Sequence, residues 1–491
     1  MSKGVRNRRQ RQMTRREFVG GAVAAAGLIT GAPAFLRGQN LNNKLRIAFI
    51  ACGGRANASL NELTIRPGAP PGGGGRGAPP DPNAGPHPDE DVTILCDIND
   101  NAIEAAAERF PKARRLNDLR KVFDHVNEFD AVVVATTEHT HAFATYLALT
   151  HGKHVYCEKP LTYNVWEARL IRETAAKYPK LSTQMGNQGH ASPMRRKVRE
   201  VLDTGVIGPV REVHVWADRA WGLQDAASAE KFDKPHGFYK GIQIVDRFKE
   251  VMKPPENLHF DLWLGPAPAR PFHETYFPGP RWYRWWDFAN GTMSDLGSHD
   301  NDVPYTVLDI KQPLTIEAYS PNVPVAHKEL APATMRVTYE FPASASGAPP
   351  VKLFWYQGDI KPPGWVPEWG GRSNLFIGDN GMLLSIGNNI KLLPEEQFKD
   401  FEMPPETLPR SPGHWVEWVN YAKGQGPVPG SNFQYSGWTT ESNHLGNVAF
   451  RTGKKIEWDY QNLRVRNARE AEPFLKRPRY SKGWEGILKK V

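Results

Sequence analysis

The N-terminal half of the chain alternates short apolar runs with stretches of helical spacing. Five apolar runs predict buried strands, at Leu45–Ala51, Val92–Ile98, Ala131–Ala135, His154–Cys157 and Leu181–Met185. Amphipathic segments between them predict helices that end near Leu63 or cover Ala102–Phe110, Thr140–His151 and Trp166–Lys177. Strands that alternate with helices in this way predict an α/β fold with a parallel, doubly wound sheet.

The pattern changes after about residue 190. Short alternating runs predict a mostly antiparallel sheet, at Val210–Trp216, Leu314–Tyr319, Met335–Phe341, Val351–Tyr356 and Asn374–Ile377. Helical patterns return at Trp415–Ala422 and near Thr440–Arg451. We therefore expect a first α/β domain over residues 44–188, a second over residues 189–460 and a C-terminal tail over residues 461–491.

The first 38 residues have the pattern of a twin-arginine export signal. Thr14-Arg15-Arg16-Glu17-Phe18 precedes a mild apolar run, Val19–Ile29, and then Ala32-Pro33-Ala34. The run is too short and too rich in Gly and Ala for a stable membrane anchor. We expect the Tat machinery to export the folded protein to the periplasm or the medium; the alternative is a basic tail that binds nucleic acid.

Charge and composition argue against a nucleic-acid partner. The formal charge is +9, but residues 1–38 hold eight Lys/Arg and one Glu, which leaves only about +2 for the rest. The hydrophobic fraction of 40% is ordinary for a globular protein. Three cysteines are too few for a disulfide framework, which is consistent with folding in a reducing cytoplasm before export.

Between the first two predicted strands lie an incomplete nucleotide-binding fingerprint and an insertion. The six positions of G-x-G-x-x-G read Ala51-Cys52-Gly53-Gly54-Arg55-Ala56, so only the middle glycine is in place. Residues 67–88 hold eight prolines and seven glycines, which predicts a flexible surface insertion over residues 66–90. Without those 22 residues, Asp97 follows Gly53 at the spacing of a ribose-binding acid. An acid there favours NAD over NADP, because it repels a 2′-phosphate.

Several further motifs resemble one family, the Gfo/Idh/MocA oxidoreductases. They are Ala135-Thr136-Thr137-Glu138-His139-Thr140-His141, Gly152 to Leu161 with its Glu158-Lys159-Pro160, Gly186-Asn187-Gln188, Asp295-Leu296-Gly297-Ser298-His299, and Glu441–Leu445 with Arg451–Lys455. The resemblance runs from about residue 44 to 460. It implies an N-terminal NAD(P)-binding Rossmann domain and a C-terminal α/β domain whose open sheet covers the substrate. We also expect a homo-oligomer.

The resemblance implies a metal-free catalytic set of Lys159, Asp295 and His299. Lys159 at the end of a parallel strand can hydrogen-bond a substrate hydroxyl, although a solvated lysine would fit the same position. Asp295 and His299 lie four apart, which on a helix places them on one face. His299 then exchanges the hydroxyl proton, and Asp295 anchors substrate or tunes the imidazole. A simpler interpretation of His299-Asp300-Asn301-Asp302 is helix capping.

The same resemblance implies contacts to a nicotinamide dinucleotide. The expected cofactor residues are Ala51, Gly53, Gly54, Arg55, Asp97, Thr136, Thr137, His139, Glu158, Lys159 and Gln188. For the two threonines the alternative is capping of the next helix. The tryptophans around residue 286 fit sugar stacking, a subunit contact or ordinary core, and Trp286 is the candidate for the substrate cleft.

These features predict a nicotinamide-dependent oxidoreductase that acts on a carbinol of a sugar, a sugar derivative or a cyclitol, with a tightly bound cofactor. Two alternatives remain open. One is an NAD-dependent glycoside hydrolase that oxidises its sugar transiently and eliminates the aglycone. The other is a carbohydrate-binding protein without activity, which the altered glycine loop would allow.

Overall fold

The computed structural model describes residues 44–65, 87–232, 242–277, 279–321, 323, 325–344 and 347–489. The twin-arginine segment and nearly all of the Pro67–Pro88 insertion lie outside these residues. Residues from Leu45 onward belong to one compact unit. Among the described residues, no helix combines the length and the apolar character that crossing a membrane requires.

The first half of this unit forms a six-stranded sheet in the order β3-β2-β1-β4-β5-β6. Its strands are β1 Arg46–Ile50, β2 Asp91–Cys96, β3 Arg114–Leu116, β4 Ala131–Val134, β5 His154–Glu158 and β6 Thr183–Gly186. All neighbours pair in parallel, and this strand order is that of a dinucleotide-binding sheet. The all-apolar β4 is buried along its length because helices cover both faces. The predicted doubly wound sheet is confirmed.

Helices connect these strands, and each helix that directly follows a strand has its N-terminus at the carboxyl edge of the sheet. They are α1 Ala56–Leu63, α2 Asp100–Ala107, α3 Leu119–Val122, α4 Glu138–Thr150, α5 Val165–Ala176 and, after the sheet, α6 Pro193–Asp203. Asn99 caps α2 and Asn164 caps α5 through side-chain hydrogen bonds to backbone N–H groups.

The second half forms a nine-stranded sheet in the order β13-β12-β11-β7-β10-β9-β8-β14-β15. The strands are β7 Val210–Ala217, β8 Thr315–Tyr319, β9 Met335–Phe341, β10 Val351–Gln357, β11 Arg372–Gly378, β12 Gly381–Ile386, β13 Asn389–Leu393, β14 Ile456–Asp459 and β15 Arg464–Val465. Only β7 and β10 pair in parallel within it. The mostly antiparallel second sheet is therefore also confirmed.

Further helices close the second half. They are α7 Ala226–Phe232, α8 Phe260–Leu264, α9 Ser298–Asp300, α10 Asp302–Val307, α11 His414–Ala422, α12 Phe433–Thr452 and α13 Glu472–Leu475. The long α12 lies between the two halves and packs on α5 and β8. A buried ion pair of 2.7 Å from Arg169 on α5 to Glu441 on α12 fastens this junction.

The segment after residue 460, predicted as a tail, packs back onto the first half. Trp484 is buried, and its ring meets Phe143 of α4 edge to face at 5.0 Å between centroids. Trp484 also lines the cleft described next. The C-terminal segment therefore helps to build the wall of the candidate site.

Candidate active site

A cleft of about 1870 Å³ runs between the carboxyl edge of the first sheet and the second half of the molecule. Open parallel sheets bind ligands at this edge. Twelve residues expected from the sequence line it: Ala51, Gly53, Gly54, Arg55, Asp97, Thr136, Thr137, Glu158, Lys159, Gln188, Asp295 and His299. The fold thus brings together side chains that are up to about 250 positions apart in the sequence.

The loop after β1 has backbone conformations that glycine normally supplies. Ala51 adopts a left-handed φ of 79° and Gly54 one of 54°. At Ala51 the methyl group makes this conformation strained. Ala56, by contrast, is the first residue of α1 and needs no positive φ. Of the two alanines that replace fingerprint glycines, only Ala51 carries backbone strain.

Gly53 and Gly54 have different roles in this loop. A Cβ on Gly53 would lie 3.1 Å from the Cβ of Ala102, so Gly53 lets the loop approach α2. A Cβ on Gly54 would meet nothing within 4 Å, which leaves an open cradle beside the start of α1. An anionic phosphate is favoured at a helix N-terminus. The open space at Gly54 would therefore accommodate a phosphate.

Asp97 braces the loop from the end of β2. Its Oδ2 accepts hydrogen bonds from the backbone N–H of Cys52 at 2.8 Å and of Gly53 at 3.3 Å. Its Oδ1 accepts one from the N–H of Asn99 at 2.9 Å. The expected contact of Asp97 with ribose hydroxyls stays a prediction, because these backbone bonds already use part of the carboxylate.

Glu158 and Arg55 join the loop to the end of β5. Arg55 Nε donates to Glu158 Oε1 over 3.1 Å, and Gln188 Nε2 lies 3.4 Å from the same oxygen. Gln188 also donates to the hydroxyl of Tyr156 at 2.9 Å. Burial raises the pKa of Glu158, while Arg55 and Lys159 oppose that rise. These hydrogen bonds hold the side chains in the middle of the cleft in place.

Thr136 and Thr137 lie where β4 leads into α4. Thr137 occupies the N-cap position of α4, but its side chain makes no capping hydrogen bond. Thr136 Oγ1 accepts a bond of 2.7 Å from Thr140 Oγ1. Capping therefore does not explain Thr137, and its side chain stands on the cleft.

Lys159 is held by three hydrogen bonds, one for each ammonium proton. Its Nζ donates to Asp295 Oδ1 at 2.6 Å, to the carbonyl of Asp295 at 2.9 Å and to Tyr283 Oη at 3.0 Å. The side chain is only 11% exposed. Lys159 can thus bind a substrate oxygen only by exchanging one of these partners.

Asp295 accepts from three side chains and is the centre of this cluster. Besides Lys159, Arg219 Nη1 donates to Oδ2 at 2.8 Å and Trp221 Nε1 donates to Oδ2 at 2.6 Å. Burial works against ionisation, but Lys159 and Arg219 outweigh it and hold the pKa of Asp295 well below its usual range. Asp295 therefore orients Lys159 as a carboxylate.

His299 reaches the cleft from the π-helical segment Met293–Gly297 and the following α9. π-helical turns often occur at functional sites. His299 Nδ1 lies 2.9 Å from Asn187 Oδ1, so Asn187 is its hydrogen-bond partner. Burial lowers the pKa of His299 well below its usual value, and Lys159 and Arg372 add to this. A neutral ring that donates from Nδ1 leaves Nε2 as a proton acceptor.

Two expected residues are not on the cleft. His139 is buried between Trp263 and Phe288, with Nε2 3.0 Å from the carbonyl of Trp263, and burial lowers its pKa to about 3. Trp286 is buried too, donates its Nε1 to the carbonyl of His327 and packs under Arg451. The expectations of a cofactor contact for His139 and a substrate contact for Trp286 are therefore corrected. Both side chains are core.

Sequence reasoning missed five residues of the site. Tyr283, with Trp282 stacked on it at 3.9 Å, forms an aromatic wall beside Lys159. Arg219, just after β7, and Arg372 on β11 line the cleft, and Asn187, just after β6, accepts a hydrogen bond from His299. The aromatic run at residues 281–286 was a visible signal, but it pointed to Trp286 instead of its neighbours. The two arginines had no local signal, because only strand pairing brings them there.

The described residues contain no group of three His, Cys, Asp or Glu side chains arranged to hold a metal ion. The cleft instead contains the parts that a dinucleotide needs. These are an open cradle at a helix N-terminus, an acid at the end of β2 and polar side chains along the edge of the sheet. The residues present thus fit a nicotinamide dinucleotide.

Family profiles match the chain in two segments. Residues 73–186 match an oxidoreductase family, NAD-binding Rossmann fold, and residues 232–346 match its C-terminal alpha/beta domain. Both profiles describe Gfo/Idh/MocA oxidoreductases. The matches support assignment of the chain to this family, although together they cover a little under half of it. The first match begins after the loop at Ala51–Ala56.

Two curated relatives each align over a quarter of the chain. Inositol 2-dehydrogenase of Gluconacetobacter diazotrophicus is 33% identical over 124 residues, which is 25% of this chain and 36% of that protein. The enzyme of the same name from Salmonella typhimurium is 27% identical over 126 residues, 25% of this chain and 37% of that protein. The chain thus spans little more than a third of these relatives' length.

Solved structures share the fold over most of the chain. The WlbA dehydrogenase from Bordetella pertussis, in complex with NADH and UDP-GlcNAcA, has a TM-score of 0.52 at 15% identity, covering 85% of this chain and 99% of that one. GenD2 from gentamicin A biosynthesis, in complex with NAD, has a TM-score of 0.51 at 17% identity, covering 87% and 99%. At such low identity these structures show a common fold alone.

Proposed function

We propose that the protein is a nicotinamide-dependent oxidoreductase that transfers a hydride to or from a carbinol of a sugar, a sugar derivative or a cyclitol. The observation that carries this proposal is the convergence of Lys159, Asp295 and His299 on one cleft. Lys159 comes from the first sheet, whereas the other two come from the second half of the molecule. The family assignment and the names of the relatives support the same activity.

Each side chain then has a defined task. Nε2 of His299 takes the proton of the substrate hydroxyl, since the ring is neutral. Lys159 donates to the same oxygen and stabilises the charge that develops on it, and Asp295 keeps the ammonium in place. A bound nicotinamide dinucleotide supplies the hydride acceptor. Gly54, Arg55, Thr136 and Thr137 are the residues that would hold it.

We further propose that the chain is exported by the twin-arginine route with its cofactor already bound. Free nucleotide is scarce outside the cytoplasm, and this route carries folded proteins. A cofactor that survives purification needs an affinity near the nanomolar range, about −12 kcal/mol. We expect NAD to be favoured over NADP, because the Asp97 carboxylate would repel a 2′-phosphate.

The test uses the mature protein without added cofactor. After gel filtration and denaturation, it should release about one nicotinamide dinucleotide per chain. A panel of free sugars, cyclitols and aryl glycosides then separates the activities. Reduction of the bound cofactor by a free sugar or cyclitol supports the oxidoreductase, whereas aglycone release without net reduction supports the NAD-dependent hydrolase. A protein that binds sugar but shows neither reaction would be a binding protein.

The export proposal has its own test. Changing Arg15 and Arg16 together to Lys should leave the protein in the cytoplasm, because Lys lacks the planar guanidinium fork. Unchanged periplasmic activity of this variant would refute the signal assignment.

A further inference from the structure

The end of the cleft next to Lys159 has a surplus of positive charge. Arg219 follows the end of β7, and Arg372 is the first residue of the antiparallel neighbour β11, paired with Ala217 in the sheet register. Both arginines therefore stand at the same edge of the second sheet. This edge faces the Lys159 end of β5 across the cleft.

The charges at this end do not balance. Lys159, Arg219 and Arg372 are cations, whereas the carboxylates that pair with them are Asp295 and Asp300. Among these five side chains, the cations exceed the carboxylates by one. Burial raises the pKa of Asp300, and Arg372 opposes this rise. The nearby Asp218 is exposed and lies outside the cleft lining.

The two arginines also have donors to spare. Arg372 uses Nε and Nη2 on Asp300, at 2.7 and 2.6 Å, and Arg219 uses Nη1 on Asp295. Among the described residues, Nη1 of Arg372 and Nε and Nη2 of Arg219 have no hydrogen-bond partner. Their side chains are 46% and 29% exposed. The three donors of Lys159, by contrast, are all used.

We propose that the substrate is a sugar acid, whose carboxylate is bound by Arg219 and Arg372 while its carbinol meets Lys159 and His299. This inference rests on the proposed function and adds the substrate class. Guanidinium groups with paired N–H donors match the geometry of a carboxylate. A surplus of one charge fits this monoanion better than a phosphate ester, which carries about −1.5 to −2.

The experiment measures ligand binding to the cofactor-loaded protein by calorimetry. The ligands are D-glucuronate, D-glucose and a glucose phosphate ester. The wild type should bind glucuronate about tenfold or more tightly than glucose, the effect of one added charge-assisted bond. The test variant combines Arg372→Gln with Asp300→Asn, so that neither partner is left buried and unpaired. In this variant the preference for the acid should fall by about threefold or more, because only Arg219 is left to bind the carboxylate.

A matched control comes from the other end of the same two strands. Arg211 on β7 and Asp379 just after β11 form an exposed pair of 2.8 Å away from the cleft. Arg211→Gln with Asp379→Asn should keep the preference of the wild type. This control shows whether losing any arginine–aspartate pair on these strands lowers the preference for glucuronate over glucose.

Four results would overturn the proposal. They are equal binding of acid and neutral sugar, tighter binding of the phosphate ester, no measurable binding of the acid, and a preference that persists in the test variant. Nucleotide content and cofactor reduction are measured on the same samples. Oxidation of neutral sugars without a preference for the acid refutes this inference alone, whereas acid binding by a protein without nicotinamide refutes the proposed function.

Discussion

The two ends of the cleft are built in opposite ways. At the Lys159 end, charged side chains from both halves of the molecule lock each other in place, with Asp295 accepting from Lys159, Arg219 and Trp221. At the nucleotide end, a short loop contributes mainly backbone groups, and Ala51 strains it. Proton and hydride transfer need particular side chains, whereas phosphate binding needs backbone N–H groups and open space. The catalytic motif around Lys159 and Asp295 is therefore complete, while the glycine fingerprint at Ala51–Ala56 tolerates substitution.

The largest effect should come from removing the centre of the charged cluster. Asp295→Asn leaves the nearly buried Lys159 and the partly exposed Arg219 without their shared carboxylate, which costs about 3–5 kcal/mol of unfolding free energy. Urea unfolding measures it. Asp379→Asn, in an exposed pair, should cost about 1 kcal/mol or less. Because the folded pKa of Asp295 is lowered, its contribution is present above about pH 4 and is lost as the pH falls. Equal costs for both variants would contradict a preorganised cluster.

Removing the catalytic cation should separate chemistry from cofactor binding. Lys159→Met is expected to lower turnover by about 100-fold or more, because the developing alkoxide loses its charged donor, while the nucleotide stays bound. Turnover and released nucleotide are measured on one preparation, with the exposed Lys121→Met as control. Loss of nucleotide instead would make Lys159 part of the cofactor site, and normal turnover would return it to a structural role.

The pH profile should show an uncharged base. Since burial holds the pKa of His299 well below its usual value of about 6.5, turnover should be flat around neutrality. It should fall only well below that value, where the ring gains a proton. The profile of kcat against pH checks this, and His299→Ala should lower turnover by about 100-fold and abolish the acidic limb. An acidic limb at or above pH 6.5 would rule out His299 as the base.

The smallest effect lies at the nucleotide loop. Ala51→Gly relieves a left-handed φ, and the gain exceeds the entropy cost of glycine by a net of about 0.5–1 kcal/mol. Ala58→Gly, within regular helix α1, should instead destabilise by a similar amount. Thermal or urea unfolding compares the two. A destabilised Ala51→Gly variant would show that the loop is not strained.

Much of the fold was predictable because apolar periodicity reports burial directly. The all-apolar β4 and the alternating β9 are examples, and both lie where the pattern placed them. The hairpin β12–β13 and helix α6 were not predicted, since the hairpin strands are short and α6 is rich in arginine and lysine. Helix α12 begins at Phe433 rather than near Thr440, because tertiary packing buries residues of low helix propensity.

The residues of the candidate site that come directly after a predicted strand in the sequence were predictable. Lys159 and Thr137 are fixed to the carboxyl edge of the first sheet by their position in the sequence. Arg219 and Arg372 could not be found in this way, because their proximity depends on the pairing of β7 with β11. His139 and Trp286 are residue types that could contact a cofactor or a sugar. In the structure, however, His139 packs against Trp263 and Trp286 packs under Arg451, so both side chains lie in the core.

The most direct test of the central claim is the near-ultraviolet absorbance of reduced nicotinamide in purified protein without added cofactor. On addition of a sugar acid or another carbinol substrate, the wild type should show a single turnover of its bound nucleotide. Lys159→Met with the same nucleotide content should show about 100-fold slower reduction. Wild-type protein that is empty of nucleotide, or equal reduction in both proteins, would contradict the account.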